Sequence, residues 1–250
     1  MDFLHGPVRA TARLRTRLAD PEPLLAAGAY DALSARLVEL AGFEAVYMTG
    51  FGASASLLGR PDVGLLSGTE MAAHAARLCA AVGVPVIADA DTGYGNPLNV
   101  IRTVQDYERA GVAALHLEDQ ASPKKCGHLA GKVLVPAAEH AARIRAACAA
   151  RTDPDLVIIA RTDARAVEGL GPALDRARRY ADAGADVLFV EAPQTLEEIA
   201  EVARVLGGYP LLFNWVEGGR TPPVSLEQLR SFGFRVVIFP VSTLLSASRA

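Results

Sequence analysis

The chain has 250 residues and a formal net charge of −3, and 51% of its residues are hydrophobic. This length can hold one large α/β domain with a sizeable core, or two small ones. No run of lysine and arginine indicates a nucleic-acid partner, and no apolar stretch approaches the length of a membrane-spanning helix. The three cysteines lack metal-site spacing, and the first residues lack the pattern of a secretory signal. We therefore expect a cytoplasmic protein with neither a nucleic-acid nor a membrane partner.

Apolar runs of strand length alternate with segments of helical periodicity along the whole chain. The predicted strands are Leu24–Ala27, Ala45–Met48, Pro85–Asp89, Ala114–Glu118, Leu156–Arg161, Asp186–Glu191, Pro210–Asn214 and Val236–Phe239. Helices are predicted over 31–41, 68–82, 97–110, 137–150, 170–183, 195–206 and 225–231. Eight such units predict a single (β/α)8 barrel domain over residues 1–250. We expect an amphipathic segment near 7–20 to cap the barrel floor, and we expect the eighth helix to be truncated at Ala250.

Polar residues occur at the ends of most predicted strands, where barrel enzymes place their active sites. Asp89 and Asp91 follow the third strand, and paired carboxylates of this kind suit Mg²⁺ or Mn²⁺. Arg161 ends the fifth strand and can fork onto a substrate carboxylate. The other strand-end candidates are Tyr47, Thr49, Gly50 and Phe51, then Glu118, Glu191, Asn214 and Glu217. This pattern predicts an anionic, metal-binding site.

Residues 124–128 read Lys-Lys-Cys-Gly-His, a few residues after the fourth strand. Neighbouring cations lower the pKa of a thiol, and an imidazole can exchange its proton, so Cys126 is suited to move a proton. A proton carrier beside a metal site indicates an enzyme that forms and quenches an enolate-like anion.

Several other residues are predicted to be structural. Asp163 is interpreted as a partner of Arg161. The remaining predictions are buried packing for Cys79 and Cys148, a surface position for His74 and His140, a satisfied core position for His116, and either pocket or packing for Trp215.

These motifs together resemble the isocitrate lyase and phosphoenolpyruvate mutase superfamily, from about Ala29 to Ser242. The matching segments are Tyr30-Asp31-Ala32, Thr49-Gly50, Arg60-Pro61-Asp62, Asp89 to Gly95, His116 to Gln120, Lys124 to His128, Ala160 to Ala164, Glu191-Ala192, Asn214 to Gly218 and Thr221-Pro222. The resemblance implies a modified (β/α)8 barrel, a Mg²⁺ cofactor, a small carboxylate substrate and a homodimer or homotetramer.

The resemblance also implies roles for individual residues. The metal would be bound by Asp89, with Asp91, and with Asp62 and Glu118 mostly through water. The substrate would be bound by Thr49, Gly50, Phe51, Gly127, Arg161, Asn214 and Glu217. The proton-handling group would be Cys126 with Lys124, His128, Glu191 and Tyr47, and the loop from Lys124 to His128 would close over the ligand as a lid.

The resemblance therefore favours a Mg²⁺-dependent lyase that breaks a carbon–carbon bond in a 2-hydroxy di- or tricarboxylate. Tyr47 or a metal-site carboxylate would be the base, and Cys126 would protonate the carbanion as a neutral thiol. Residues 243–245 read Thr-Leu-Leu where 2-methylisocitrate lyases carry an arginine, which favours a smaller, more apolar substrate such as a substituted malate. The alternatives are a phosphonomutase of the carboxyphosphonoenolpyruvate mutase type and a non-catalytic binding barrel.

Overall fold

The computed structural model describes residues 9–127 and 131–250, and eight parallel strands in it close into a barrel in sequence order. Strand β1 pairs with both β2 and β8, which completes the ring. The strands are β1 (Leu24–Ala29), β2 (Ala45–Met48), β3 (Val86–Asp89), β4 (Ala114–Glu118), β5 (Val157–Thr162), β6 (Val187–Val190), β7 (Leu211–Asn214) and β8 (Phe234–Phe239). The predicted barrel and all eight of its strands are confirmed, with ends that differ by up to two residues.

Helices surround the barrel. They are α1 (Ala10–Ala19), α2 (Ala32–Leu40), α3 (Gly50–Leu58), α4 (Gly68–Ala81), α5 (Pro97–Ala110), α6 (Ala137–Ala150), α7 (Ala164–Val167), α8 (Leu170–Asp182), α9 (Leu196–Leu206), α10 (Leu226–Phe232) and α11 (Ser242–Arg249). No helix within the described ranges is long and apolar enough to cross a membrane.

The core has two parts that follow from the alternation of side chains along each strand. One part fills the barrel interior, and Leu14 and Leu18 of α1 pack into it from below. The other lies between the strands and the outer helices. The predicted floor-capping helix is therefore present, as α1.

Local sequence signals account for several helix ends. Ser67 and Glu70 form the predicted capping box at the start of α4. Asn96 caps α5 ahead of Pro97 in its first turn. Gly111 closes α5 with φ +90°, a left-handed conformation that glycine adopts without steric cost.

Two helices were not predicted. Helix α3 has the sequence Gly-Phe-Gly-Ala-Ser-Ala-Ser-Leu-Leu, and its two glycines weaken the helical signal. Helix α7 has only four residues, too few for a periodic pattern. The eighth barrel helix, expected to be truncated, is the eight-residue α11.

Some single-residue predictions were wrong. His74 and His140 were placed on the surface, but they are only 2% and 0% exposed. Each lies on the inward face of its helix, because buried neighbours follow at helical spacing. Cys79 and Cys148 were predicted to be buried, and both are only half-buried against the core. Trp215 packs against Phe239, with ring centroids 5.6 Å apart.

Candidate active site

A small cavity of about 50 Å³ opens at the carboxyl ends of the barrel strands. It lies where active sites occur in this class of fold. Its lining includes twelve of the predicted site residues: Tyr47, Thr49, Phe51, Asp62, Asp89, Glu118, Lys124, Cys126, Gly127, Arg161, Glu191 and Asn214. Residues from six strands, β2 to β7, or from the loops after them thus converge on one space.

Asp89 is held at the end of β3 by backbone donors. The N–H of Gly50 donates to its Oδ2 at 3.2 Å, and the N–H of Asp91 donates to its Oδ1 at 2.9 Å. A side chain at Gly50 would collide with the Asp89 carboxylate, so glycine is required for this approach. These contacts fix the orientation of the predicted metal ligand.

Lys124 lies among the other carboxylates. Its ammonium is 2.6 Å from Asp62 Oδ1 and 2.6 Å from Asp91 Oδ1, and all three side chains are buried. Burial alone would lower the pKa of Lys124, but the charges of Asp91 and Asp89 outweigh it and hold that pKa well above its usual value. Lys124 is therefore a permanent cation within the acidic cluster.

Burial raises the pKa of two further acids in the site, Asp91 and Glu118. Burial raises the pKa of Asp91 to about 7, although Lys124 opposes this effect. Burial also raises the pKa of Glu118 well above its usual value. These carboxyl groups would ionise more readily if further positive charge entered the site.

The site carries an excess of acid. Three cations, Lys124, Lys132 and Arg161, lie among six buried carboxylates: Asp62, Asp89, Asp91, Glu118, Asp163 and Glu191. With all six ionised, the negative charges would outnumber the cations, and buried charge of one sign needs compensation. A divalent cation would supply it, so the local charge fits a metal ion.

The donor set also fits Mg²⁺. All the acidic ligands are hard oxygens, and Glu118 Oε1 is buried with no hydrogen-bond donor among the described residues. Within 9–127 and 131–250, no three His, Cys, Asp or Glu side chains are arranged to hold a metal directly. Magnesium commonly keeps several waters and uses only one or two carboxylates. Asp89, with Asp91, Asp62 and Glu118 acting mostly through water, is compatible with that coordination.

The start of α3 forms another side of the cavity. Thr49 caps the helix, because its Oγ1 accepts a hydrogen bond from the N–H of Gly52 at 3.2 Å. Phe51 lines the cavity in the first turn. A helix N-terminus favours anions, so this edge suits a substrate carboxylate.

Arg161 is held by Asp163, as predicted. Its Nε and Nη2 donate to the Asp163 carboxylate at 3.0 and 3.1 Å. Glu118 and Glu191 lie 3.4 and 3.9 Å from the same Nε. Asp163 occupies the Nε–Nη2 edge, and no residue within 9–127 or 131–250 hydrogen-bonds Nη1, so Nη1 can bind a substrate carboxylate.

Cys126 is half-buried on a loop that is tied to the barrel. Its N–H donates to the Asp62 carbonyl at 3.2 Å. The Gln120 amide bonds both the N–H and the carbonyl of Lys125, at 3.0 and 2.8 Å. Cys126 lines the same cavity as Asp62, Asp89 and Glu118, whereas His128 lies outside the described residues.

Tyr47 forms a pair with His116 inside the barrel. Its hydroxyl is 2.7 Å from His116 Nε2, and burial followed by the charge of Asp89 raises the pKa of Tyr47 well above 10. Burial lowers the pKa of His116 to about 4. Tyr47 is therefore a neutral phenol here. His116 is a core residue, as predicted, with a partner on one ring nitrogen and none for Nδ1 among the described residues.

The other predicted substrate residues divide into two groups. Asn214 donates from Nδ2 to Glu191 at 3.2 Å and lines the cavity. Glu217 is exposed and accepts a hydrogen bond from the Ser242 hydroxyl, and it does not line the cavity.

Two sets of residues had no role assigned from the sequence, although Pro240, Val241 and Asp119 were recognised as lying at strand ends. Val216, Pro240 and Val241 form an apolar wall of the cavity. Lys132 and Asp119 are buried and bind Asp163. The Pro-Val pair directly after β8 was a signal for the wall, whereas the contacts of Lys132 arise only from the tertiary fold.

The chain matches the family model described as phosphoenolpyruvate phosphomutase over residues 14–250. It is 48% identical to 2,3-dimethylmalate lyase of Eubacterium barkeri, covering 97% of this chain and 84% of that protein. It is 47% identical to the chloroplastic carboxyvinyl-carboxyphosphonate phosphorylmutase of Arabidopsis thaliana, covering 97% and 74%. It is 46% identical to 2-methylisocitrate lyase of Aeropyrum pernix, covering 95% and 76%.

Solved structures agree. A crystal structure of 2,3-dimethylmalate lyase superposes with a TM-score of 0.93 at 46% identity, covering 98% of this chain and 82% of that one. The structure of oxaloacetate acetylhydrolase with 3,3-difluorooxalacetate superposes with a TM-score of 0.94 at 42% identity, covering 98% of this chain and 84% of that one. The structure of phosphonopyruvate hydrolase with oxalate and Mg²⁺ superposes with a TM-score of 0.86 at 32% identity, covering 97% of this chain and 85% of that one. Named carbon–carbon lyases among these relatives support that enzyme class. The chain belongs to the phosphoenolpyruvate mutase/isocitrate lyase superfamily.

Proposed function

We propose that this enzyme cleaves the C2–C3 bond of a 2-hydroxy dicarboxylate of the malate type with an apolar substituent, and releases a 2-keto acid. The observation that carries the proposal is a single cavity that combines the Cys126 thiol, the Asp89 carboxylate and Arg161. These groups supply a proton donor, a metal ligand and a carboxylate anchor. The 48% identity to a protein named 2,3-dimethylmalate lyase supports the same class of substrate.

The substrate carboxylates have two anchors in this arrangement. The N-terminal turn of α3 receives the carboxylate next to the hydroxyl group through Thr49 and Phe51, since the N–H of Gly50 already donates to Asp89. Arg161 receives the second carboxylate through its free edge. Asn214 and Glu191 lie beside Arg161 and complete the polar side.

Asp89, with Asp91, Asp62 and Glu118, would hold Mg²⁺, or Mn²⁺ in its place. A bound divalent ion would offset the negative charge that develops on the keto-acid side. The protein residues keep this position acidic and shielded, because all four carboxylates are buried.

Two proton transfers complete the reaction. A base removes the proton of the C2 hydroxyl, and the C2–C3 electron pair moves to C3 as the carbonyl forms. A metal-site carboxylate is favoured over Tyr47 as this base, because Tyr47 holds its proton firmly. Cys126 then gives its thiol proton to C3 and becomes a thiolate. Lys124 begins the loop that carries Cys126 and keeps its positive charge. Glu191 and His128 would then return to the thiolate the proton that the base took from the hydroxyl group, so the cycle neither gains nor loses a proton.

The apolar wall supports a substituted malate. Val216, Pro240 and Val241 present hydrocarbon to the cavity and offer no partner to a third carboxylate. Residues 243–245, Thr-Leu-Leu, likewise supply no cation. A methyl group fits such a wall, whereas an additional carboxylate would lose its hydration there.

A phosphonomutase is the second candidate, because a relative at 47% identity carries that name. Arg161 and the acidic cluster would bind a phospho-enolpyruvate in the same cavity. A non-catalytic barrel is disfavoured, because Asp89, Cys126 and Arg161 are all present and converge.

The test is a screen for keto-acid release. Malates with hydrogen or methyl at C2 and C3, methylisocitrate and isocitrate are incubated with the enzyme and Mg²⁺, and glyoxylate or pyruvate is detected with a coupled dehydrogenase. We expect the methylated malates to have the highest kcat/KM. A preference for the tricarboxylates would contradict the assigned substrate. A new phosphorus signal in NMR from a phospho-enolpyruvate, without keto-acid release from any malate, would contradict the lyase.

We also infer a cytoplasmic homodimer or homotetramer. An apolar stripe on α2 supports self-association, since Leu33, Leu37 and Leu40 are 68%, 56% and 68% exposed.

A further inference from the structure

Lys132 is a buried cation that the reaction above does not use. Its side chain is 1% exposed, and its ammonium lies 2.8 Å from Asp163 Oδ1. The same ammonium donates to the carbonyl of Gly127. A buried lysine is rare unless it is paired, and both of these partners adjoin the active site.

One partner of Lys132 leads to Arg161. Asp163 Oδ1 accepts from both Lys132 and Arg161 Nη2, and Asp163 Oδ2 accepts from Arg161 Nε at 3.0 Å. The N–H of Asp163 is in turn fixed by Asp119 at 2.9 Å. Asp163 is therefore a rigid joint between the two cations.

The other partner leads to Cys126. Gly127 follows the thiol directly, and its carbonyl is the group that Lys132 binds. A Cβ at Gly127 would lie 2.6 Å from Glu191 Oε1 and closer still to Arg161 Nη2. The backbone after the thiol is thus packed tightly against the substrate-binding side chains.

From this geometry we propose that Lys132 is a positioning residue that joins the Cys126 loop to the Arg161–Asp163 pair. This inference rests on the proposed function, in which Cys126 is the proton donor and Arg161 the carboxylate anchor. The Lys132 ammonium holds the Gly127 carbonyl at a fixed distance from Asp163. The distance between the Cys126 thiol and a substrate bound to Arg161 is thereby fixed as well. A displacement of about 1 Å at a reacting group can cost about 10²-fold in rate.

The ammonium is needed because two acceptors must be bound at once in a buried place. Lysine offers three donors on one compact charged nitrogen. Methionine has a similar shape and neither donor nor charge, so Lys132→Met removes both bonds with little change in volume. The matched control is Arg165→Met, which removes the partly buried pair of Arg165 with Glu198, two residues beyond Asp163.

The first readout does not depend on catalysis. The full-length protein is treated with iodoacetamide, and alkylation of each cysteine is followed by peptide mass spectrometry. We expect Lys132→Met to raise the rate at Cys126 about tenfold, because the loop loses an anchor. Cys79 and Cys148 are internal references and should react as in the wild type.

The second readout is the division between kcat and KM on the best malate of the screen. We expect Lys132→Met to lower kcat about 10²-fold and to change KM less than about threefold, because the Arg161–Asp163 pair remains. If Lys132→Met does not fold, Lys132→Gln is used, since its amide can replace one of the two bonds. Its effects should then have the same direction and be smaller.

Equal behaviour of Lys132→Met and Arg165→Met in both readouts would overturn the proposal. Faster alkylation of Cys126 in Lys132→Met supports it, even if the wild type cleaves no malate. In that last case the proposed function fails while the coupling of Lys132 to the loop stands.

Discussion

Asp89 holds the central position among the acidic residues, because two backbone N–H groups, those of Gly50 and Asp91, fix its carboxylate. We expect Asp89→Ala to abolish turnover and its dependence on Mg²⁺. A metal ion contributes several kcal/mol to such reactions, so the loss should reach about 10³-fold. The measurement is kcat across a Mg²⁺ titration, with Asp106→Ala on the surface of α5 as control. Near wild-type activity of Asp89→Ala at low Mg²⁺ would show that the metal site lies elsewhere.

Gly127 offers a second residue-scale prediction. Any side chain there meets Glu191 and Arg161, so Gly127→Ala must displace the loop that carries Cys126. We expect kcat to fall about 10²-fold while the protein remains folded. Gly171→Ala is the control, because a Cβ at Gly171 in α8 meets nothing within 4 Å. Equal kcat for the two variants would show that the loop tolerates a side chain next to the thiol.

At the scale of residues, sequence reasoning identified the groups that line the cavity better than those that support them. Asp89, Arg161 and Glu191 are polar residues at strand ends, a position that the sequence reveals. Lys132 is different, because it is 31 residues from Asp163 and no local pattern links the two. Such supports depend on tertiary contacts, so only the folded chain reveals them.

At the scale of elements, α6 carries a buried titratable group. The His140 ring packs against the Tyr180 ring of α8, with the ring centroids 4.6 Å apart. Burial, followed by the charge of Arg143, lowers the pKa of His140 to about 3. The unfolded chain then binds the proton more readily than the folded chain between about pH 6.5 and 3. Folding stability should therefore fall as the pH falls through this window.

We expect this loss to approach about 1.4 kcal/mol per pH unit below about pH 6 for His140 alone. The measurement is the free energy of unfolding in urea from pH 8.5 to pH 5. His140→Phe keeps the contact with Tyr180 and removes the titrating group, so its pH profile should be flatter. Parallel profiles for the wild type and His140→Phe would contradict the assignment. Between pH 7.5 and 8.5 neither protein should change through this group.

The strands were predictable because each is a short apolar run with polar residues or glycines on either side. Helix α3 was not predictable in this way, because Gly50 and Gly52 are poor helix formers. Its capping residue, Thr49, had been predicted only to bind the substrate. The sequence did contain a sign that His140 is buried, because the apolar residues Ala141, Ile144 and Ala147 lie on the same face of the helix. Histidine is intermediate in polarity, so its type did not reveal the face.

At the scale of the whole molecule, the α2 stripe favours association between copies of the chain. Leu33, Leu37 and Leu40 recur at helical spacing and expose apolar surface to water. We expect light scattering to give the mass of a dimer or tetramer. Leu37→Lys should shift it towards the monomer, whereas Leu98→Lys should not, because Leu98 is exposed on α5 apart from this stripe. A monomeric wild type would contradict the expected assembly.

The closed barrel also explains how distant segments form one site. Loops after β2, β3, β4, β5, β6, β7 and β8 meet over one barrel mouth, so residues from Tyr47 to Val241 share a cavity. Strands of the barrel hold Asp89, Glu118 and Arg161, while Cys126 lies on a loop that Gln120 and Lys132 bind. This division matches a reaction in which the proton donor acts on a substrate that is already fixed.

The Cys126→Ser variant tests whether the thiol is the proton donor. A thiol, with an ordinary pKa of about 8.5, is a far stronger acid than a serine hydroxyl, and the general-acid step contributes about 10²–10⁴-fold. We measure the dissociation constant of the preferred malate and the kcat for keto-acid release in Cys126→Ser. We expect binding within a few-fold of wild type and a kcat reduced by at least about 10²-fold. A variant that releases keto acid at the wild-type rate would contradict the role of Cys126 as the proton donor.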